Sequence, residues 1–464
     1  MRRAVVRFGL AVLALALMSG PCAAAGPILL AKATLTTTSA GYYTDLSGLT
    51  DILENGVSAS LLGGMGSGLA WAGGNTFIAI PDRGPNAVEY NDAVDNTVTY
   101  IPRFHTVSMD LQPAGGGLPF TLTPTLTATT LLYDSSPFRA ISLVYGSGAG
   151  LNVPPGAPAE NGRGKNYFSG RSDNFNPNQN SGFANDARLD SEGVRVSNDG
   201  ESVFISDEYG PYLYEFNRAT GQRIRSFQLP DHLFVSKLYP VGNDEINNNT
   251  SGRTANKGME GLAITPDGKM LVGFMQAALI QDNLEGGAAK NLLRFVTIDL
   301  ASGRWTHEYA YLLTDGSGVS EIVALNDHEF LVDERDGKGL GDGSNAKYKE
   351  LFKIDINGAV DVSDMDGLTA AQVAVPKSLF LDIVKVLGDN GITKDQVPAK
   401  LEGVALAGDV VYNGQTMHTL WVANDNDFLQ DYGGHQNSNP NQFFVFGFTD
   451  ADLNGSTYVP QFSN

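Results

Sequence analysis

The sequence repeats one unit of four short strands, and this repeat constrains the fold more than any other feature. The clearest copy spans residues 192–230 and reads EGVRVSNDGE, SVFISDEYG, PYLYEFNRATG and QRIRSFQLP. β-Branched and aromatic residues alternate within the segments, and Asp, Asn or Gly ends most of them. Further copies begin at four positions: Ser67, Glu260, Glu321 and Glu402. Four strands joined by tight turns form an antiparallel sheet the size of one propeller blade.

Repeated blades predict an all-β fold, a β-propeller of four-stranded antiparallel blades. Five copies are visible, and the long interval between Ser67 and Glu192 has room for a diverged blade or a large insertion. We therefore favour six blades within a possible range of five to seven. Because the last copy lacks a fourth strand, we expect the β-rich stretch 28–38 to supply it and close the ring.

The remaining segments predict how the chain is organised. Residues 1–25 have a basic start, an apolar run and alanines at 23–25, which are typical of a signal peptide. We expect residues 26–464 to form a single propeller domain with a polar insertion near 139–190 and a short helical insertion near 367–391. Apolar residues recur at helical spacing over 376–387. Since no later stretch is long and apolar enough to span a membrane, we expect an exported protein, periplasmic or extracellular.

Composition excludes several partners and reactions. The chain has 31 basic and 51 acidic side chains and a formal net charge of −20, which disfavours nucleic-acid binding. Its one cysteine, Cys22, lies in the predicted signal peptide, so thiolate chemistry and disulfides are not expected in the mature protein. No GxSxG or GxxxxGK[ST] motif occurs. We expect a monomer that binds a small molecule, and hydrolysis would depend on metal-bound water and carboxylates.

Acidic residues recur at two places in the repeat. The first strand of each propeller blade lines the central channel, and four copies begin that strand with a glutamate: Glu192, Glu260, Glu321 and Glu402. Acids also end the second strand, among them Asp207, Glu208, Asp333 and Glu334. Converging carboxylates need neutralising charge, and this density of hard oxygen ligands suits Ca²⁺. The alternative is that the glutamates form ion pairs with nearby bases such as Arg195, Lys257, Lys400 or Arg335.

Three basic residues are candidate substrate ligands. Arg83 and Arg335 follow the second-strand acid and precede a Gly-containing turn, in PDRGPN and DERDGKG. A guanidinium at a channel mouth can bind phosphate or carboxylate with two parallel hydrogen bonds. Lys257, which precedes the third copy, is the third candidate. The alternative for these bases is pairing with the channel acids.

Four linked motifs resemble those of one family. They are GMGSGLAW with FIAIPDRGPN, DSEGVRVSNDGESVFISDEYGPYLYEFNRATG, NKGMEGLAITPDGKMLVG, and KLEGVAL with LWVANDND. Together they resemble the phytase-like family, exported bacterial proteins described by an esterase-like activity of phytase. The resemblance implies a β-propeller and a phosphoric-ester hydrolase. The chain departs from the pattern where Ser67 replaces Glu in the first copy and Ile322 replaces Gly in the fourth.

The resemblance also implies roles for the repeat acids. By analogy with calcium-dependent propeller phytases, Ca²⁺ would be held by the acids Glu192, Asp207, Glu208, Glu260, Glu321, Asp333, Glu334 and Glu402. Of these, Glu192, Glu260 and Glu402 are also the candidate catalytic residues. Two other functions stay open: a lactonase or carboxylic esterase similar to gluconolactonase-type propellers, and a non-catalytic propeller that binds a ligand.

Overall fold

The computed structural model describes ten parts of the chain: residues 26–86, 97–135, 160–161, 164–173, 180–181, 188–283, 290–314, 316, 318–430 and 439–462. The predicted signal peptide and most of the predicted polar insertion lie outside these ranges. The limits of the domain therefore stay a prediction.

Three strands precede the first blade, and the next four strands form it. The chain begins with β1 (Ile28–Leu35), followed by a small hairpin of β2 (Thr37–Thr38) and β3 (Gly41–Tyr42). The first blade has four consecutive strands: β4 (Gly68–Trp71), β5 (Thr76–Ile80), β6 (Arg103–Pro113) and β7 (Phe120–Leu131). A two-stranded ladder follows, made by β8 (Tyr133–Asp134) and β9 (Asn166–Tyr167).

The next two blades also use consecutive strands. The second blade comprises β10 (Ser191–Val196), β11 (Ser202–Asp207), β12 (Tyr212–Asn217) and β13 (Arg223–Ser226). The third comprises β14 (Met259–Ile264), β15 (Met270–Met275), β16 (Leu292–Asp299) and β17 (Arg304–Leu312). Two short helices flank β14 and β15, namely α1 (Gly242–Asn248) and α2 (Ile280–Asn283).

The last two blades complete the ring. The fourth comprises β18 (Gly318–Ala324), β19 (Glu329–Arg335), β20 (Lys349–Asp355) and β21 (Lys377–Asp382). Helix α3 (Gly367–Ala371) precedes β21, and α4 (Ile383–Asp389) follows it. The fifth comprises β22 (Lys400–Tyr412), β23 (Gln415–Asp425), β24 (Asn441–Phe448) and the N-terminal strand β1.

The N-terminal strand closes the ring. β1 runs antiparallel to β24, with Ile28 opposite Gly447 and Leu35 opposite Asn441. The inner strands β4, β10, β14, β18 and β22 pack in this order, and β22 packs against β4. The predicted class and the range of five to seven blades are confirmed, and the described residues form five blades rather than the favoured six. Between β7 and β10, the described residues form the β8–β9 ladder and no four-stranded sheet.

The predicted helix over 376–387 is wrong in its first half. Residues 377–382 form β21, in which Leu379 lies opposite Phe352 and Leu381 opposite Leu351 on β20. The sheet edge offers backbone partners that override the helical spacing of the apolar residues. The second half of the predicted segment is helical and belongs to α4. The Asp382 side chain caps this helix by accepting a hydrogen bond of 2.9 Å from the Lys385 amide.

Apolar side chains are buried between neighbouring blades. Five core clusters each join two adjacent sheets, and Phe77 of the first blade contacts Trp421 of the fifth with ring centroids 4.6 Å apart. The inner strands also approach one another closely. A Cβ at Gly193 would lie 2.8 Å from the Glu260 carbonyl oxygen, so the glycine after the repeated glutamate is a packing requirement.

Arg195 fills the middle of the central channel. Its guanidinium donates to the carbonyl oxygens of Leu69 (2.8 Å) and Ile322 (2.7 Å) and lies 3.0 Å from Glu321 Oε1. These partners belong to the first and fourth blades, so one side chain connects inner strands across the axis. Beyond it, the C-terminal segment lies over the opposite mouth, where the Gln461 amide donates to the Val196 carbonyl oxygen at 2.8 Å.

Candidate functional site

A charged cavity of about 210 Å³ lies at the mouth where the inner strands begin. In the described part of the chain, its walls carry six carboxylates: Asp82, Glu192, Glu208, Glu260, Glu402 and Asp425. Four bases also line it: Arg83, Lys257, Arg335 and Lys400. All three predicted substrate ligands and four of the eight predicted metal ligands therefore meet in one cavity.

Local irregularities in strand pairing direct the glutamates into this cavity. The pairing of β10 with β11 shifts register between Ser191 and Val194, where Glu192 lies. Equivalent shifts enclose Glu260 in β14 and Glu402 in β22. A β-bulge inserts an unpaired residue and turns its side chain away from the regular alternation. Each bulge thus presents one glutamate to the channel mouth.

Glu321 is offset from the other three glutamates by one residue. In β18 the register shift lies between Val319 and Glu321, so Ser320 occupies the bulge and lines the cavity. Glu321 instead accepts hydrogen bonds from the Leu262 amide (2.9 Å) and pairs with Arg195. For Glu321, the structure thus shows the alternative to metal binding, an ion pair with Arg195. Its side chain does not line the cavity.

Three of the predicted second-strand acids also lie away from the cavity. Asp207 accepts from the amides of Asp190 and Tyr209, both at 3.0 Å. Glu334 is buried, accepts from the Thr314 amide at 3.0 Å and pairs with Lys377. Asp333 is buried as well, and neither of its carboxylate oxygens has a hydrogen-bond partner among the described residues.

Strand alternation explains which second-strand residues reach the cavity. Successive side chains on a strand point to opposite faces, so the residue after Asp207 or Glu334 reaches the mouth. These residues are Glu208 and Arg335, and Gln276 lies at the corresponding end of the third blade. The sequence prediction took both members of each acidic pair, but the structure brings Glu208 of the first pair and neither acid of the second pair to the cavity.

A compact acidic cluster occupies the second blade. Asp190, Glu192 and Glu208 are all buried, and one carboxylate oxygen from each lies within 4.8 Å of those of the other two. The Arg83 guanidinium is the base in contact with the cluster: it pairs with Asp190, and its Nη1 lies 3.5 Å from Glu208 Oε2. Among the described residues, these three carboxylates pair with one guanidinium, so the cluster needs protons or a cation to become neutral.

Glu192 and Glu260 lack the ion pairs that the other glutamates have. Glu192 accepts no hydrogen bond from the described residues, whereas Glu260 Oε1 accepts one of 2.7 Å from Gln276. Glu260 Oε2 is buried without a partner among those residues. Burial, followed by the charge of Glu260, raises the pKa of Glu192 well above its ordinary value, and burial raises the pKa of Glu260 similarly. Burial and nearby Asp190 raise the pKa of Glu208 to about 8.

The other side of the cavity is balanced by ion pairs. Arg335 pairs with Glu402 and donates from Nε to Ser320 Oγ at 2.8 Å. Lys400 pairs with Asp425 at 2.9 Å. Burial raises the pKa of Glu402 to about 7 even beside Arg335. This side carries little net charge, in contrast with the acidic cluster.

Lys257 is a base in the cavity wall without an acidic partner among the described residues. It is half-buried and lies just before β14. Its ammonium group can therefore bind an incoming anion without first leaving an ion pair.

Sequence reasoning missed Asp190 as a site residue and left Asp82, Lys400 and Asp425 out of the predicted ligands. Asp190 lies two residues before Glu192, and period-two alternation on an extended segment was the available signal. It falls at the end of the predicted polar insertion, where the composition typical of a loop concealed it.

Comparisons with known proteins agree with this architecture. The closed propeller and its charged axial mouth define the class, a β-propeller with a carboxylate-lined axial cavity. The model of the phytase-like family, described as esterase-like activity of phytase, matches residues 60–428. The chain belongs to the phytase-like family.

One sequence relative and several solved structures are similar over part or most of the chain. An uncharacterized secreted protein of Arthroderma benhamiae is 32% identical over 194 residues, 35% of this chain and 36% of that protein. The chain thus spans just over a third of that relative's length. Hydrazine synthase of Kuenenia stuttgartiensis is 11% identical, with 79% of this chain and 78% of that chain covered and a TM-score of 0.29. Saccharomyces cerevisiae Sqt1 is 7% identical, with 81% and 69% covered and a TM-score of 0.29.

Within the described ranges, no helix combines the length and the apolar composition that crossing a membrane requires.

Proposed function

We propose that this protein is an exported, calcium-dependent hydrolase of small phosphate esters and that the axial cavity is its active site. The observation that carries the proposal is that four buried carboxylates, Asp190, Glu192, Glu208 and Glu260, converge where Arg83 is the one base that forms ion pairs with them in the described part of the chain. Membership of the phytase-like family supports hydrolysis of an ester.

The donor set of the acidic cluster fits a divalent cation. Glu260 Oε2 is a buried acceptor without a partner among the described residues, and leaving it so is costly. Carboxylate oxygens are the ligands that Ca²⁺ prefers, and it takes six to eight of them. Asp190, Glu192, Glu208 and Glu260 would hold the ion. When bound, Ca²⁺ supplies positive charge that polarises a phosphoryl oxygen.

The protein's own side chains would bind the substrate and move the proton. Arg335 and Lys257 are positioned in the cavity wall to bind phosphate oxygens. Glu402, whose pKa burial raises to about 7, would take a proton from the attacking water, because a base titrating near neutral pH is suited to that task. The six carboxylates in the wall disfavour a highly phosphorylated substrate and favour a compact monoester.

A substrate panel on chelator-treated mature protein tests the function. We expect hydrolysis of p-nitrophenyl phosphate that requires added Ca²⁺ and that falls at least ~100-fold in the Glu192→Gln/Glu260→Gln double variant. Glu215→Gln, on the outer part of the second blade, is the matched control and should retain activity. Opening of lactones with phosphate esters left intact would replace this proposal with a propeller lactonase. Ca²⁺ binding without hydrolysis of any ester would indicate a ligand-binding propeller.

The proposal includes export and a monomeric state. The secreted relative supports export. N-terminal sequencing of the protein from its native host should begin near Gly26, and light scattering should give the mass of one chain. An intact N-terminus or a dimer mass would contradict these two parts separately.

A further inference from the structure

Arg83 is bound to the same carboxylates that form the acidic cluster. Its backbone amide donates to Asp190 Oδ1 at 3.0 Å, and its guanidinium pairs with Asp190 Oδ2. The same Nη1 atom lies 3.5 Å from Glu208 Oε2. One guanidinium thus occupies oxygens on two of the three clustered acids.

A cation in the cluster would need those oxygens. The three acids offer atoms within 4.8 Å of one another, which matches a shared ion. Glu260 adds an independent indication, because its unpartnered Oε2 belongs to a buried carboxylate that interacts with Glu192 and Glu208. A divalent cation and a guanidinium repel each other, so both cannot stay on Asp190 and Glu208 at full strength.

The backbone of Arg83 is fixed, whereas its side chain can turn into the cavity. The Arg83 carbonyl oxygen packs so closely on Gly170 that a Cβ there would lie 1.8 Å from it. The Asp82 carboxylate accepts from the Gly84 amide at 2.9 Å and holds the following turn. The guanidinium itself borders the cavity and is 13% exposed. Displacement of the side chain therefore needs no movement of the blade.

We propose that a divalent cation and Arg83 compete for Asp190 and Glu208, so that cation binding releases the Arg83 guanidinium to bind the substrate anion. This inference rests on the proposed metal site and adds an order of binding, cation first and anion second. The coupling is reciprocal, because an anion that holds the released Arg83 raises cation affinity by the same factor.

Titration calorimetry on chelator-treated protein tests the competition, with Ca²⁺ and inorganic phosphate as probes. In the wild-type protein, saturating Ca²⁺ should tighten phosphate binding about tenfold or more. Arg83→Gln should bind Ca²⁺ about tenfold more tightly than wild type when phosphate is absent, and its phosphate coupling should fall to about threefold or less. Arg225→Gln is the matched control: it removes a guanidinium paired with Glu215 on the outer part of the same blade, and its Ca²⁺ affinity should change less than about threefold.

A labelling experiment on the wild-type chain covers the case in which Arg83→Gln does not fold. Phenylglyoxal modification of Arg83, read by peptide mass spectrometry, should rise about fivefold on Ca²⁺ addition and fall again with phosphate. Unchanged or weaker Ca²⁺ binding by folded Arg83→Gln, or labelling that ignores Ca²⁺, would overturn the competition. In that case Ca²⁺-dependent hydrolysis by the wild type would leave the proposed function standing. A wild type that binds no Ca²⁺ would overturn both.

Discussion

Replacing a carboxylate of the cavity wall by its amide should stabilise the protein at Glu192 and destabilise it at Asp425. Glu192→Gln removes a charge from the acidic cluster, whose oxygens lie within 4.8 Å of one another. At an effective dielectric constant of about 20, each pair of carboxylates at this distance costs about 3.5 kcal/mol. The ion pair of Arg83 offsets part of that repulsion. We expect metal-free Glu192→Gln to be more stable than wild type by about 2 kcal/mol at pH 8.

Asp425→Asn should instead destabilise the protein by about 1–2 kcal/mol, because it removes the charged partner of Lys400. Burial opposes ionisation of Asp425, but Lys400 outweighs burial and lowers the pKa of this carboxyl, so Asp425 is ionised at pH 8. Each variant replaces one carboxylate of the cavity wall with an amide of the same size, so each controls for the other.

Urea unfolding in the presence of a chelator measures both effects. Repeating the titration at pH 5 adds a sign check. The ordinary pKa of a glutamate is 4.5, and that of Glu192 is raised in the fold, so the folded protein holds its proton to higher pH than the unfolded chain. The stabilising effect of Glu192→Gln should therefore shrink as the pH falls towards 5. Destabilisation by Glu192→Gln at pH 8, or equal signs for the two variants, would refute the reasoning.

Three further outcomes follow from the channel and the site. Arg195→Met should lower the free energy of unfolding, measured in urea, by about 3–5 kcal/mol. The control Arg225→Met, at a partly exposed arginine, should lower it by less than about 1 kcal/mol. Equal losses in the two variants would contradict a role for Arg195 in joining the blades. Gly193→Ala should cost about 1–3 kcal/mol because its Cβ would lie 2.7 Å from that of Leu262, whereas Gly388→Ala, with no atom within 4 Å, should be neutral or stabilising. Metal-free protein should lose stability as the pH rises from about 5 to 8, since carboxyl pKa values of about 7 and 8 occur among the buried acids; a flat profile would contradict these protonation states.

The architecture was predictable because it depends on repetition, and the details of the site were less so because they depend on strand register. The unit at 192–230 specifies one blade, and its recurrence specifies the propeller. The favoured number of six blades was wrong because composition does not distinguish a large insertion from a diverged blade in the interval between Ser67 and Glu192. The strand β21 was missed because pairing with β20 outweighs a helical pattern.

Single-residue offsets limited the prediction of the candidate site. Glu321 matches Glu192 in a sequence comparison, yet the bulge in β18 falls one residue earlier and gives that position to Ser320. Which member of a pair such as Asp207–Glu208 faces inwards also depends on where the ladder shifts. The repeat predicts that side chains from every blade meet at the channel mouth, whereas the hydrogen-bond register of each strand decides which side chains line it.

The pairing of β1 with β24 joins the two ends of the described chain, with Leu35 opposite Asn441. The ring of blades can therefore close only after both β1 and β24 have been synthesised, which makes closure a late event that depends on contacts between residues far apart in sequence. Until then β24 offers an unprotected edge to any strand of matching sequence. At high concentration during refolding, the β1 segment of a second molecule is a ready substitute, so strand-exchanged dimers should be the characteristic misassembled product.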